Sequence, residues 1–209
     1  MTDAFVLQDP DSTVLLIERR KTSDIVIGVP HHAPLGKETL PCPNHNNSDE
    51  NAGTLGRYLA TLLDCHSVIA CNYFLDPNKA EDTDYFRILK EWMPIMLVEI
   101  HGHGGKSAEF DIEISSGSEN MTVWSEDLSE RLAKQIAEVP SLRHYSISGK
   151  FTEIVLKATK SRTITSNKWL AIHLELPKSL RASKSQYICF CEALATALLE
   201  ILARYREDH

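Results

Sequence analysis

The sequence predicts an α/β fold, and three observations carry that reading. Short runs rich in branched aliphatics, such as Ile95-Met96-Leu97-Val98-Glu99-Ile100, have the length and composition of buried strands. They alternate with segments whose apolar residues recur at helical spacing, as Leu55, Leu59, Leu62 and Leu63 do. Several of the runs break, at their carboxyl ends, into loops of glycine, proline and histidine, where open α/β sheets place their ligands.

The elements follow in order. Strands are expected at 13–18 and 24–29, joined by a charged turn. The second runs into Pro30-His31-His32-Ala33-Pro34, where proline ends the ladder and fixes the backbone beside two histidines. After a loop rich in Pro, Asn, Gly and His, Ser48 is the expected N-cap of a helix, with Asp49 and Glu50 facing its dipole in the first turn. A strand at 67–71, the polar loop Asp76-Pro77-Asn78-Lys79 and a helix at 83–92 come next. Pro94 separates that helix from the strand 95–100, which ends in His101-Gly102-His103-Gly104-Gly105, a tight loop by its glycines. Residues 110–114 alternate strictly, as a strand with one polar face does. Ser125 is the expected cap of a helix carrying Leu128, Leu132 and Ile136. Strands are expected at 152–158 and 169–176. On the second, His173 and Glu175 share a side, and Glu175 stands between Leu174 and Leu176. A helix over 185–206 closes the chain. No repeat or linker interrupts it, so a single domain over 1–209 is expected.

Composition narrows the function. The 209 residues carry a formal net charge of -7, which gives no general attraction to nucleic acid. The start, 1–12, has neither a basic end nor an apolar core segment, unlike a signal peptide. The apolar stretch 187–205 is interrupted by Glu192, Glu200 and Arg204, which favours a buried helix over a membrane span. Five cysteines without paired spacing read as reduced thiols and a cytoplasmic protein. Histidine is the unusual component, with nine copies, several of them clustered.

Three expected strands thus end in histidine- or carboxylate-bearing segments: His31/His32, His101/His103 and Glu175. Asp49/Glu50 form a fourth group. Strand ends on one edge of a sheet converge, so these side chains can meet. Two imidazoles and one carboxylate make a catalytic zinc set with a fourth position open to water, and a further carboxylate outside the set can serve as general base. A carboxylate between two leucines is rarely buried without a partner. No Gly-x-Ser-x-Gly elbow points instead to a serine nucleophile.

The order of Val29-Pro30-His31, Ser48-Asp49-Glu50, Asp76-Pro77-Asn78-Lys79, Glu99-Ile100-His101 and Leu174-Glu175-Leu176 resembles the N-formylglutamate amidohydrolase family, within the zinc carboxypeptidase-like group. The resemblance spans residues 25–181. It implies a three-layer αβα sandwich with a mixed central sheet, phosphorylase/hydrolase-like, one Zn2+ and hydrolysis of an amide next to a carboxylate. Residue by residue, it implies His31, Glu50 and His101 as zinc ligands, with Asp49 adjacent to the acidic position. Glu175 matches the general base, and Asn78 and Lys79 match an Asn-Arg pair that holds a substrate carboxylate.

The sequence departs from that family in several places. Lys79 replaces arginine and keeps only a point charge, while Arg181 is placed to restore the fork. Glu99 stands where aspartate is usual. His32 and His103, the second members of the doublets, are candidates to bind substrate or stabilise an oxyanion. The expected protein is a zinc hydrolase for an N-acyl amino acid or short peptide, compact and divergent for the family. The alternative is a metal-containing module that holds a peptide or cell-wall fragment without cutting it.

Overall fold

A computed structural model describes residues 3–8, 14–105 and 107–208. Residues 1, 2 and 9–12 of the 1–12 start, and Thr13 of the first expected strand, lie outside the described residues.

The expected α/β sandwich is present, with a mixed central sheet. Its strands are β1 (Asp3–Gln8), β2 (Val14–Arg19), β3 (Thr22–Ala33), β4 (Asp49–Glu50), β5 (Cys65–Cys71), β6 (Met96–His103), β7 (Ile112–Ser115), β8 (Ile147–Ser148) and β9 (Leu170–Pro177). They are ordered β1-β2-β5-β3-β6-β9-β7-β8, with β4 paired to the end of β3. The middle strands β5, β3, β6 and β9 are mutually parallel, so their carboxyl ends share one edge. Antiparallel neighbours flank them: β1 and β2 on one side, β7 on the other.

Alternation along each strand divides the core between two faces. Ile25, Ile27, Val98, Ile100, Ile172 and Leu174 pack under helices α1 (Ala52–Leu62), α3 (Thr122–Ala137) and α5 (Lys184–Asp208), the last preceded by the short helix α4 (Lys178–Ala182). Val26, Val68, Leu97 and Ala171 face α2 (Asp84–Trp92), with Tyr85, Ile88 and Leu89, and the irregular segment that supplies Ile164. Gly28 allows a close approach here. A Cβ at that position would collide with the Tyr85 hydroxyl.

Among the described residues, α5 is the one helix long and apolar enough to cross a membrane. It lies in the core: Phe190, Leu194, Leu198 and Ile201 are fully buried, and α1 and α3 pack on it. This is the buried helix that its interrupting charges led one to expect. The five cysteines are free.

Four local expectations are corrected. Ser48 does not cap a helix, because its hydroxyl donates to the Lys37 carbonyl and its N–H to Glu38. Asp49 and Glu50 then form β4 by pairing with His32 and Ala33. The helix starts only after Asn51, which takes a left-handed turn at φ 63°. Ser125 sits inside α3, where its hydroxyl donates to the Thr122 and Gly149 carbonyls. Strand β6 continues through Gly102 and His103 before the glycine loop begins. Residues 152–158 form no strand. They fold as turns, and two of their amides bond to a carboxylate described below.

Candidate active site

Strands β3, β6 and β9 deliver their side chains to the shared edge. Register places Glu99 opposite His173 and His101 opposite Glu175, all on the α2 face. His31 arrives by a different route. Simple alternation from the core residue Val29 would turn His31 toward α1. The pairing instead runs from Val29–Ile69 to His32–Cys71, three steps on β3 against two on β5. The extra residue is a bulge, and a bulge re-aims side chains. His31 therefore faces His101, with ring centroids 5.1 Å apart. His32 turns the other way, and its Nδ1 accepts the Gly53 N–H at 3.2 Å.

The carboxylate between the two imidazoles is Asp49. Its Oδ2 lies 3.5 Å from His31 Nδ1 and 3.2 Å from His101 Nδ1. These three buried residues form a group whose ligand atoms are close enough to share one ion. Glu50, the residue matched to the acidic ligand, faces away. It accepts the Gly36 N–H at 2.7 Å and pairs with Lys178 at 2.6 Å. Adjacent residues of an extended segment point to opposite sides, so β4 can offer only one of the two carboxylates.

The far nitrogens of both imidazoles face further carboxylates. His31 Nε2 is 3.1 Å from Asp76, which Lys79 holds at 2.6 Å. His101 Nε2 is 3.6 Å from Glu99, which also accepts the Tyr85 hydroxyl at 2.9 Å. Carboxylates in this place orient metal-binding imidazoles and raise their basicity.

Burial alone would lower His101. Asp49 and Glu99 on its two edges overcome that and lift it to about 10. Burial pushes the Glu175 carboxyl up to about 7, with His101 opposing and Asp49 adding to the shift. The neighbouring His173 is driven well down, by burial and then by His101. Its Nε2 lies 3.4 Å from Glu175, and its ring is 4.3 Å from that of His101.

The residues present fit a metal ion. Among the described residues, six buried side-chain atoms without a hydrogen-bond partner gather in this cluster: His31 Nδ1, Asp49 Oδ2, Glu99 Oε2, His101 Nε2, His173 Nδ1 and Glu175 Oε2. Buried polar atoms are normally satisfied, and a set of nitrogens and carboxylate oxygens left open together suits a cation such as Zn2+.

Two cavities meet over the cluster. One of about 260 Å³ is lined by His31, Asn78, Lys79, His173 and the segment 155–161. The other, of about 740 Å³, is lined by Asp49, Ser107, Lys178 and Arg181, among others. His45, His101, Leu156 and Glu175 border both.

The remaining expected substrate contacts resolve as follows. Asn78 lines the smaller cavity, with its Oδ1 buried and unpartnered. Lys79 is at the same wall but bonded to Asp76. His103 is used internally: Nδ1 accepts the Gly105 N–H, and Nε2 donates to the Asp111 carbonyl at 2.9 Å. An imidazole with both nitrogens engaged does not stabilise an oxyanion. Arg181 is buried across Gly102, and its three nitrogens reach the Leu176, Glu50 and His103 carbonyls. It clamps β4, β6 and β9 together rather than displaying a fork.

Sequence reasoning gave no role to His45, Asp76, His173 or Glu113. His45 stacks on His31 at 3.7 Å, from a loop with no strand or helix pattern to place it. His173 carried one signal, its two-residue spacing from Glu175. Glu113 is the largest omission. Fully buried, it accepts the amides of Glu109, Phe110, Val155 and Leu156 at 2.7–3.4 Å, tying together the loops that border the two cavities. Each buried amide left unpaired costs roughly 1–3 kcal/mol. Glu113→Ala is therefore expected to destabilise the fold by about 4 kcal/mol. A urea titration that leaves the midpoint unchanged would contradict this.

No protein-family model matches the sequence, and no curated protein does. Solved structures do. N-acetylmuramoyl-L-alanine amidase AmiC2 of Nostoc punctiforme superposes with a TM-score of 0.54 at 14% identity, over 88% of this chain and 99% of that one. The apo form of the N-acetylmuramyl-L-alanine amidase Ami1 from Mycobacterium abscessus gives 0.51 at 13% identity, over 87% and 100%. The tripeptide-bound cell shape determinant Csd4 from Helicobacter pylori gives 0.51 at 10%, over 92% and 56%. The chain thus has the fold of these proteins, across nearly the whole length of the two amidases.

Proposed function

We propose that the protein is a zinc-dependent hydrolase that cleaves an amide bond in a small carboxylate-bearing substrate, an N-acyl amino acid or short peptide. The observation that carries this is the convergence of His31 Nδ1, Asp49 Oδ2 and His101 Nδ1 beside the unpartnered Oε2 of Glu175. The amidase fold and two cavities joined at Glu175 support it. A zinc ion there would supply Lewis acidity toward water and the substrate carbonyl. Glu175, near neutrality in its affinity for a proton, takes one from the attacking water and passes it to the leaving amine. Asp76 and Glu99 hold the two imidazoles in orientation. Tyr85 in turn fixes Glu99.

The finer reading is a divergent, compact member of the N-formylglutamate amidohydrolase family, one domain over 1–209, working in the cytoplasm. The order of His31, the acidic pair, His101 and Glu175 supports it, with Asp49 in the ligand place matched to Glu50. The first test is metal analysis of untagged protein, with turnover of a panel of N-acyl amino acids and dipeptides. About one zinc per chain and zinc-dependent release of amine are expected. Absence of bound zinc, with no stabilisation on adding it, would refute the reading. One observation favours the alternative of a non-cutting binding module: Lys79 and Arg181 are both engaged internally. Thermal stabilisation by the same panel without turnover would establish that alternative.

The proton on His101 gives a separate prediction. Its folded value, about 10, lies above the ordinary 6.5, so zinc must displace a proton at neutral pH. Apparent zinc affinity should rise about tenfold per pH unit between roughly 7 and 10, with proton release visible by calorimetry in buffers of different ionisation enthalpy. The same proton stabilises the metal-free fold fully below 6.5, and that contribution is lost as pH rises through 10. A pH-independent zinc affinity would contradict this.

A further inference from the structure

We infer that Leu156 is the specificity-determining residue of the cleft and that Glu113 is the residue that positions it, so that the site selects an apolar side chain on the acyl side of the scissile amide. The inference rests on the hydrolase site proposed above and adds its substrate class. Leu156 stands where the two cavities meet, beside His101 and Glu175. Among the described residues it is the one apolar side chain lining the larger cavity, whose other walls are polar side chains and glycine. It is half-buried and belongs to neither half of the core. A leucine that the sheet and helices do not use is available to whatever enters the cleft. The carbonyl carbon of a bound amide lies over His101 and Glu175, and the next carbon on its acyl side is one bond away. A side chain on that carbon meets Leu156. An apolar one loses water there, whereas a charged one is desolvated without a partner.

Glu113 fixes the placement of this contact. Fully buried, it is held by four backbone N–H groups, and among the described residues no basic side chain pairs with it. Oε2 accepts the Val155 and Leu156 amides at 3.0 and 2.7 Å. Oε1 accepts those of Glu109 and Phe110 at 2.8 and 3.4 Å. In the sheet Glu113 lies directly opposite Glu175 across the β7–β9 pair. The carboxylate that clamps the Leu156 backbone and the carboxylate that serves as base thus belong to paired residues. Strand register, not a loose loop, sets the spacing between the base and the apolar contact.

The experiment is calorimetric titration of leucine hydroxamate and glycine hydroxamate into the zinc-loaded protein, with kcat/KM for leucyl-alanine and glycyl-alanine and zinc content measured alongside. The leucine ligand is expected to bind on the order of tenfold tighter than the glycine one, and kcat/KM to follow the same ratio. Leu156→Ala should bring the ratio within about twofold, and Leu156→Met, close in volume and apolar, should restore it. Glu113→Gln keeps one of the two oxygens. It should shrink the ratio as Leu156→Ala does, and should shrink it no further when added to that variant. A merely structural Glu113 would weaken both ligands alike and leave the ratio standing, which overturns the positioning role. So would hydrogen exchange at the Leu156 amide as fast as in an open turn, a reading that needs no variant. Equal affinity for the two hydroxamates, or a ratio unmoved by Leu156→Ala, overturns the inference, while zinc-dependent turnover keeps the hydrolase reading. A ratio that depends on Leu156 without turnover of either dipeptide keeps Leu156 as the selecting contact and removes the hydrolase reading. Failure of the zinc-loaded protein to bind either hydroxamate overturns both.

Discussion

Glu175→Gln is expected to abolish hydrolysis, lowering kcat by about 10²–10⁴-fold, in a protein that still carries its zinc. The side chain sits at the junction of the two cavities, with Oε2 unpartnered and Oε1 3.4 Å from His173. It is not among the three residues that converge as His31, Asp49 and His101 do, so its loss should spare the metal. Glutamine keeps the volume and one acceptor oxygen but cannot accept and return a proton. Zinc content near wild type with kcat at background is the expected pair of measurements. Full turnover in the variant would remove Glu175 from the mechanism. Loss of zinc would instead place Glu175 in the ligand set, alongside His101 and His173, with which it forms a second close group.

Asp49→Ala is expected to lose zinc, with affinity falling by more than about 100-fold, while Glu50→Gln keeps it. Loss of an outer-shell partner alone costs about 10- to 100-fold, so loss of a direct ligand should exceed that. Asp49 Oδ2 lies within 3.5 Å of both facing imidazole nitrogens. Glu50 is turned to Lys178 and the Gly36 amide, so its substitution should cost stability rather than metal. Asp76→Asn is an internal scale, because it touches His31 only at the far nitrogen. Zinc affinity from competition with a chelator would order the three. Retention by Asp49→Ala with loss in Glu50→Gln would reverse the assignment made here.

Much of this was legible because the strands announce themselves locally. The apolar run before His101 and the leucines around Glu175 set those two residues at strand ends, and parallel strands bring their ends together whatever the loops do. The choice within each pair was not legible. Asp49 against Glu50 depended on β4, a two-residue strand that exists only because β3 is there to pair with it. The acidic pair on its own looks like a helix start. The segment 152–158 carries the short apolar run Ile154-Val155-Leu156 of a strand, yet a carboxylate distant in sequence supplies acceptors for its amides, and Glu113 is invisible as such a hub until the fold is formed.

The sequence by itself determined the α/β class, the strands whose carboxyl ends carry the site, the buried final helix and the chemical inventory of imidazoles and carboxylates. These follow from periodicity and composition, which act over a few residues. The tertiary structure decided which member of each pair is used. A single extra residue in β3 turned His31 toward the site and His32 toward α1, and carbonyls brought from afar, those of Glu50 and His103, occupied Arg181. Orientation at that level is set by pairing register and by long-range hydrogen bonds, and neither is encoded in any local stretch of the chain.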